Sequence, residues 1–357
     1  MIRVVELRNY VEILSGFAFD SNLFNDSQNG IPLIRIRDVG KNFSKTFFSG
    51  LYDEKYIVKK GDYLIGMDGD FRLSEWKGID ALLNQRVCKI SVTKSIELSE
   101  KYLLHFLPKE LKLIEDTTSF ATVKHLSVEK IKKIQIPLPP LPQQQKIANI
   151  LDTADALRQN DKALIAKYDE LIQALFLDMF GDPVSNPKGW EVYNFEECLE
   201  IRNGKSQKKV ETSEGMYPIY GSGGIMSFAN DYISEENTVI IGRKGNINKP
   251  ILVREKYWHV DTAFGLNPHI EKLHFFYLYY FCIRYNFEQH NKTVTIPSLT
   301  KATLLKINLP IPPIELQNQF AERVAVIEEQ KAIAQNSLEK SEELFNSLLQ
   351  KAFNGEL

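Results

Sequence analysis

Apolar and polar residues alternate in short stretches over the first third of the chain. "IPLIRIRDVG", "YIVKKGDYLIGMDGDF" and "RVCKISV" read as strands, since a period of two turns one face to a core and the other to water. At 99–111, "SEKYLLHFLPKEL", the spacing becomes helical. From 143 to 180 the helical pattern runs on with neither Gly nor Pro inside, enough for a helix of roughly 55 Å at ~1.5 Å per residue. Prolines mark its start, Gly181 stands at the usual C-terminal cap and Pro183 lies just beyond. "DPVSNPKGW" reads as a linker. Residues 190–308 repeat the mixed pattern, with strand-like "NTVIIGRKG" and helix-like "HFFYLYYFCIRYNF", and 315–353 form a second long helix.

The chain repeats itself. Residues 122–180 align without a gap on 295–353: Pro137, Pro139, Pro140 and Gln144 recur as Pro310, Pro312, Pro313 and Gln317. Further on, Lys167, Glu170, Leu171, Leu175 and Phe180 recur as Lys340, Glu343, Leu344, Leu348 and Phe353. A weaker match pairs Val4, Glu12, Ile13 and Gly16 with Val192, Glu200, Ile201 and Gly204. Two cassettes follow, each a variable body and then a standard helix. The division expected is 1–135 (first body), 136–182 (first long helix), 183–308 (second body) and 309–357 (second long helix).

The long helices carry heptad rows, which call for a partner helix. The first has Ile147, Ala154, Asp161, Tyr168 and Leu175 in one row and Ile150, Leu157, Leu164 and Leu171 in the other. The second has Val324, Lys331, Leu338, Phe345 and Ala352 beside Phe320, Ile327, Ala334, Ser341 and Leu348. Each helix is expected to pack on the other, with Asp161 and Lys331 as polar positions that fix register or lie exposed near the crossing.

Composition changes this picture little. The chain has 357 residues, 43% hydrophobic and 25% charged, which suits two cored domains and excludes a disordered chain. No apolar run reaches the ~18 residues that span a bilayer, and the start reads as a strand rather than a leader, so a cytoplasmic location is expected. Cys88, Cys198 and Cys282 are too far apart for a C-x-x-C site and are expected to be buried. The net charge of −2 advertises no nucleic acid, so any nucleic-acid-binding surface would have to come from local charge.

The chain resembles the specificity subunit of type I restriction–modification systems. The resemblance rests on "LPPLPQQQKIANILD" leading into a helix that ends "LFLDMFGDP", and on "LPIPPIELQNQF" leading into one that ends "LLQKAFNGEL", each after a variable body. It implies an α+β fold: two mixed α/β target recognition domains separated by two long antiparallel helices forming a coiled-coil spacer, in a pseudo-twofold repeat. It also implies that each domain reads half of a split double-stranded DNA sequence, and that the paired helices dock two modification subunits, with restriction subunits joining for cleavage. Catalysis would belong to those partners, which would bind S-adenosylmethionine and, for cleavage, ATP with magnesium. This chain would carry no catalytic residue, metal or cofactor and would touch no membrane. A stiff spacer would set the distance between half-sites, so lengthening both helices should widen the unread gap.

The DNA-contact candidates are basic and amide residues in loops beside strands. In the first body these are Arg35, Arg37 and Lys41, then Asn84, Gln85 and Arg86; in the second, Arg202, Lys205, Lys208 and Lys209 around Gly204, then Arg243, Lys244 and Lys249. Arg and Lys neutralise phosphate, Arg can also take guanine, and Asn and Gln can take adenine. Aligning "GDYLIGMDGDF" with "NTVIIGRKGNI" is expected to set Asp68 and Asp70 where Arg243 and Lys244 stand, giving the two bodies opposite charge there.

Signals for an autonomous enzyme are weak. Asp62, Glu75 and Lys77 have the spacing of some metal-dependent nuclease sites, but the second body has no counterpart. "NGKSQ" lacks the earlier glycine of a phosphate loop, "GSGG" has Met226 where a dinucleotide fingerprint needs glycine, and the six histidines form no helical metal pair. The run "HFFYLYYFCIRYNF" reads as a buried helix face rather than a base-stacking platform. A nuclease acting alone, or a coiled-coil scaffold without DNA, are the alternatives.

Overall fold

The structure is a computed structural model and describes residues 3–118, 124–291 and 297–357. The first residues of the long repeat, 122–123 and 295–296, therefore lie outside the described residues. The chain is α+β and falls into two compact units. One is Met1–Asn160 with Leu338–Leu357, the other Asp161–Ser337. These units divide the chain inside the long helices, whereas the expected four-part division cuts it at 135/136, 182/183 and 308/309, the first and last of these inside the strands Gln135–Leu138 and Asn308–Ile311.

The first unit opens with β1 (Arg3–Glu6), β2 (Val11–Ser15), β3 (Phe24–Asn25), β4 (Ile31–Ile34), β5 (Phe47–Phe48) and β6 (Ile57–Val58). It continues with β7 (Tyr63–Gly66), β8 (Leu73–Glu75), β9 (Ala81–Leu83), β10 (Val87–Val92), α1 (Glu100–Thr117), α2 (Val128–Lys132) and β11 (Gln135–Leu138). One sheet has the order β2-β10-β7-β8 and a second, five-stranded, the order β3-β5-β4-β9-β6, while β1 pairs with β11. α3 (Leu141–Phe180) follows.

The second unit repeats this plan with β12 (Glu191–Asn194), α4 (Phe195–Cys198), β13 (Leu199–Asn203), β14 (Tyr217–Gly221), β15 (Gly224–Ala229), β16 (Thr238–Gly242) and β17 (Ile251–Val253). Then come β18 (Trp258–His259), β19 (Ala263–Pro268), α5 (Phe275–Arg284), α6 (Lys301–Leu304), β20 (Asn308–Ile311) and α7 (Ile314–Asn354). Its four-stranded sheet, β13-β19-β16-β17, has the same order as β2-β10-β7-β8, and β12 pairs with β20 as β1 does with β11. The proline-rich stretches are thus strands before they are helix starts. Two-stranded pairing tolerates them, because a proline can lie where no ladder donor is needed. α3 starts at Leu141 rather than 143, since Pro142 falls in the first turn, where a missing N–H costs nothing.

The repeated glutamine joins body to helix. Gln144 is buried; its Oε1 accepts the Ser99 N–H at 2.8 Å, and its Nε2 donates to Glu97 O and Pro139 O, both at 2.8 Å. Gln317 is buried likewise, accepting the His274 N–H at 2.8 Å and donating to Lys272 O and Pro312 O at 3.0 and 2.8 Å. The amide holds the N-terminus of α1 or α5 and the prolyl carbonyl together. Tyr102 and Tyr277 add a second tie, donating to Pro137 O and Pro310 O.

The helices run antiparallel within each unit. In the first, Ile147, Leu151 and Ala154 share a core with Phe345 and Ala352, and Gln143 Nε2 donates to Leu357 O at 2.9 Å. In the second, Lys331 pairs with Asp169, Ser337 Oγ donates to Asp161 at 3.2 Å, and Phe176 and Phe180 pack on Phe320. Both rows expected on α7 are at least half-buried. On α3 the row Ile147, Ala154, Asp161, Tyr168 and Leu175 is covered too, but its companion is Leu151, Arg158, Ile165, Ile172 and Met179. The expected companion lies one residue earlier, and of it Ile150 is half-buried while Leu157, Leu164 and Leu171 are exposed. The seam follows i, i+4 neighbours here rather than i, i+3. Cys88, Cys198 and Cys282 are buried and free, and burial pushes the Cys88 thiol up to about 12.

Candidate nucleic-acid interface

Each unit gathers several loops around one turn at the ends of its sheet strands. In the second unit the turn is 260–263, closed by the Ala263 N–H donating to Val260 O at 3.0 Å. The loop after β13 reaches it through Lys205 N–H to His259 O (3.0 Å), the loop after β16 through Arg243 N–H to Thr262 O (2.8 Å), and β14 through Val260 N–H to Tyr220 O (3.0 Å). Gly204 permits this approach, because a Cβ there would lie 1.9 Å from Val260 O.

The first unit builds the same frame around 84–87, closed by Val87 N–H to Asn84 O at 2.9 Å. Phe17 N–H donates to Leu83 O (2.9 Å), Met67 N–H to Arg86 O (3.0 Å) and Asn84 N–H to Ile34 O (3.3 Å). Gly16 takes the place of Gly204, its Cβ position 2.1 Å from Asn84 O. The correspondence is thus fixed residue by residue: 84–87 on 260–263, and 66–71 on 242–247. Gly69 and Gly245, with φ of +72° and +78°, make the same left-handed bend in the two loops.

This corrects one expectation. Asp68 stands where Lys244 stands, but Asp70 matches Asn246, and it is Met67 that matches Arg243. The hydrogen bonds of Met67 and Arg243 to the two turns leave no other register.

Around the second turn, Lys205, Lys208, Lys209, Lys244 and Lys249 are exposed, and among the described residues none of the five forms an ion pair. Arg243 is half-buried, its guanidinium 5.8 Å from the centre of the Phe264 ring. Arg202 is engaged internally, bonding Glu200 at 3.0 Å and the Ile233 carbonyl at 3.0 Å. Beneath it His259 is fully buried; its Nε2 faces Arg202 O at 3.2 Å, and burial lowers its pKa to about 4.

Around the first turn, Gln85 and Arg86 are exposed, while Asn84 is buried and accepts the Gln85 N–H on its own Oδ1 at 2.8 Å. Asn84 therefore shapes the turn. Arg35 precedes the short helical turn Ile36–Asp38 after β4 and Arg37 lies within it, Arg37 Nη2 donating to Thr46 Oγ1 at 3.0 Å, and Lys41 is exposed beyond them. Arg86 pairs with Asp68. Sequence reading passed over Asp68 as a partner, His125, Asn246, Asp261 and Thr262. The two-body alignment would have found the last three only if extended to the strand ends.

The nuclease-like set is otherwise engaged. Asp62 Oδ2 accepts the Lys59 N–H at 2.8 Å and pairs with Lys89 at 3.3 Å, and Glu75 faces Lys77 at 3.8 Å. Among the described residues no group of three or more His, Cys, Asp or Glu could hold a metal ion. Phe276, Tyr277, Tyr280 and Phe281 of α5 are buried, so that run is a core face. No helix among the described residues is long and apolar enough to cross a membrane.

Comparison with known proteins matches the chain twice to the type I restriction modification DNA specificity domain, over residues 2–167 and 187–343. The type I restriction enzyme EcoBI specificity subunit of Escherichia coli is 41% identical over 169 residues, which are 47% of this chain and 35% of that protein. The MjaVIII specificity subunit of Methanocaldococcus jannaschii is 23% identical over 354 residues, covering 87% of this chain and 82% of the relative. Among solved structures, the S subunit of a type I restriction–modification system from M. genitalium shares the fold with a TM-score of 0.61 at 16% identity, covering 99% of this chain and 96% of that one.

Proposed function

This chain belongs to the family of type I restriction–modification DNA specificity proteins, and on that premise we propose that it reads a bipartite duplex sequence, one half per unit, and assembles modification subunits on it. The observation that carries the reading is the doubled frame. One backbone arrangement is built twice on equivalent strands, yet it carries Gln85 and Arg86 in one copy and Asp261 and Thr262 in the other. A scaffold without a ligand has no need for the same loop frame with exchanged side chains, whereas two readers of different half-sites do. Unpaired lysines around the second turn suit phosphate, and exposed Gln85 and Arg86 suit base edges.

In this reading the chain catalyses nothing. Modification subunits would supply S-adenosylmethionine chemistry, restriction subunits would supply ATP- and magnesium-dependent cleavage, and the complex would work in the cytoplasm, where the chromosome is. Within the second unit, the exposed Leu164 and Leu171 of α3 are the surface offered to a modification subunit, since an apolar helix stripe in water favours cover by another helix.

Mapping methylated adenines across the genome of a host that carries this chain with a modification subunit tests the reading. One motif of two fixed blocks around an unread gap is expected, and it should vanish when the chain is removed. A continuous motif, or methylation that persists without the chain, would refute it.

A further inference from the structure

The frames of the two units differ most sharply at one pair of positions. Where the second unit has Lys244 and Thr262, the first has Asp68 and Arg86, and these two meet: Arg86 Nη1 lies 2.9 Å from Asp68 Oδ2. The other oxygen, Asp68 Oδ1, receives His125 Nδ1 at 2.7 Å. The carboxylate is largely covered, at 19% exposure, while the Arg86 side chain is 54% exposed. Backbone bonds fix Asp68 from both sides, Leu126 N–H to Met67 O at 2.7 Å and Gly69 N–H to Lys124 O at 2.9 Å. A rigid, two-handed acceptor thus holds one end of an outward-facing guanidinium.

Such an arrangement does more than an ordinary surface ion pair, in which both groups are mobile and solvated. Holding Nη1 removes most of the rotamer freedom that an arginine gives up on binding, and it leaves the parallel Nε–H and Nη2–H donors free. Two parallel donors fit two neighbouring acceptors. In the major groove guanine offers them as O6 and N7, whereas adenine sets a donor beside its N7. Phosphate also offers two oxygens, but the surroundings disfavour it. Asp70, on the same loop, is exposed and pairs with Arg72 at 2.8 Å, so the two acids of this loop, Asp68 and Asp70, each face one guanidinium, of Arg86 and Arg72, and these four charges together exert no net pull on an anion. The equivalent loop of the second unit has Arg243 and Lys244 with no acid beside them in sequence.

Building on the bipartite reading above, we infer that Arg86 reads one guanine of the half-site taken by the first unit, with Asp68 as the positioning residue that orients it. The second unit, with Thr262 at the matching place, has no such fork there.

The test selects bound duplexes from a pool of randomised double-stranded DNA, using the full chain and its variants. The wild type should enrich two blocks. Arg86→Ala and Arg86→Lys should lower the preference for a single G·C pair in one block by roughly tenfold to hundredfold and leave the other block unchanged. Lysine keeps the charge but lacks the fork. Asp68→Ala should loosen the same pair by a smaller factor, and Asp68→Glu should restore part of it, an effect at one base pair that a general loss of folding cannot produce. If Arg86→Ala weakens binding to all duplexes alike and flattens its salt dependence, Arg86 holds a phosphate and the inference is overturned. If Asp68→Ala leaves the Arg86-dependent preference intact, the positioning role falls. A wild-type chain that enriches no sequence would instead remove the bipartite reading itself, and this assignment with it.

Discussion

His259 shows how much one buried side chain governs around the second turn. Its backbone carbonyl takes the Lys205 N–H and its Nε2 meets the Arg202 carbonyl, so both ends of the basic loop around Gly204 hang on it. Its Nδ1 has no partner among the described residues, and burial, which disfavours the charged ring, lowers its pKa from 6.5 to about 4. With the folded pKa below the unfolded one, the unfolded chain binds the proton first as pH falls. The stabilisation is therefore complete above pH 6.5 and is lost on the way down to about 4. Between pH 6.5 and about 5 the second unit should lose about 2 kcal/mol from this group alone. Urea unfolding at the two pH values, for the wild type and His259→Gln, measures this; equal pH slopes in both would rule it out. Nothing in the pattern "KYWHVDT" marks His259 as buried, because a histidine between an aromatic and a valine reads equally well as a strand surface. Only the closeness of Gly265, whose Cβ would lie 3.0 Å from the ring, shows how tightly the site is built.

Among elements, the two long helices were the most legible part of the sequence, and their starts carry the clearest energetic signature. Removing Gln144 takes the partner from three backbone groups, Ser99 N–H, Glu97 O and Pro139 O, the last in a buried bond and the other two in half-buried ones. At ~1–3 kcal/mol for each unsatisfied group, with partial relaxation, Gln144→Ala should destabilise the first unit by roughly 3 kcal/mol, and Gln317→Ala the second by a similar amount. Exposed Gln145→Ala should stay within ~0.5 kcal/mol. Denaturant titration with amide exchange would place each loss, in the α1 region for Gln144 and in α5 for Gln317; a common, unlocalised effect would contradict the clamp. Both rows expected on α7 are at least half-buried, but on α3 only one of the two is, for a physical reason. On α3 the leucine row Ile150, Leu157, Leu164, Leu171 is more apolar than the covered row one residue on, which includes Arg158, so hydropathy points to the more exposed neighbour. Arg158 occupies a covered position because its guanidinium lies 4.3 Å from the centre of the Phe345 ring and its stem packs apolar surface. The short strands around the first turn were the least legible, since two-residue elements such as β3, β5 and β6 have no period to detect.

For the whole molecule, the boundary between the compact units falls at Asn160/Asp161 in α3 and at Ser337/Leu338 in α7, and both helices pass it unbroken. That makes these two points the place to test whether helix length governs the spacing of half-sites. A seven-residue insertion at both points adds ~10 Å of helix at ~1.5 Å per residue, and because seven residues are close to two turns, the covered rows keep their faces. The expected result is a methylated motif whose two blocks are unchanged and whose unread gap is longer by one to three base pairs. The upper figure follows from ~3.4 Å per base pair, the lower from the need for each head to stay on the groove face it reads as the duplex turns. Inserting at one point alone would set the antiparallel seams out of register, as would four residues at both, which swing the rows by about 40°; both should cost assembly rather than shift the gap. Genome-wide mapping of methylated adenines distinguishes these cases, and an unchanged gap after the paired seven-residue insertion would mean that something other than these helices sets the distance.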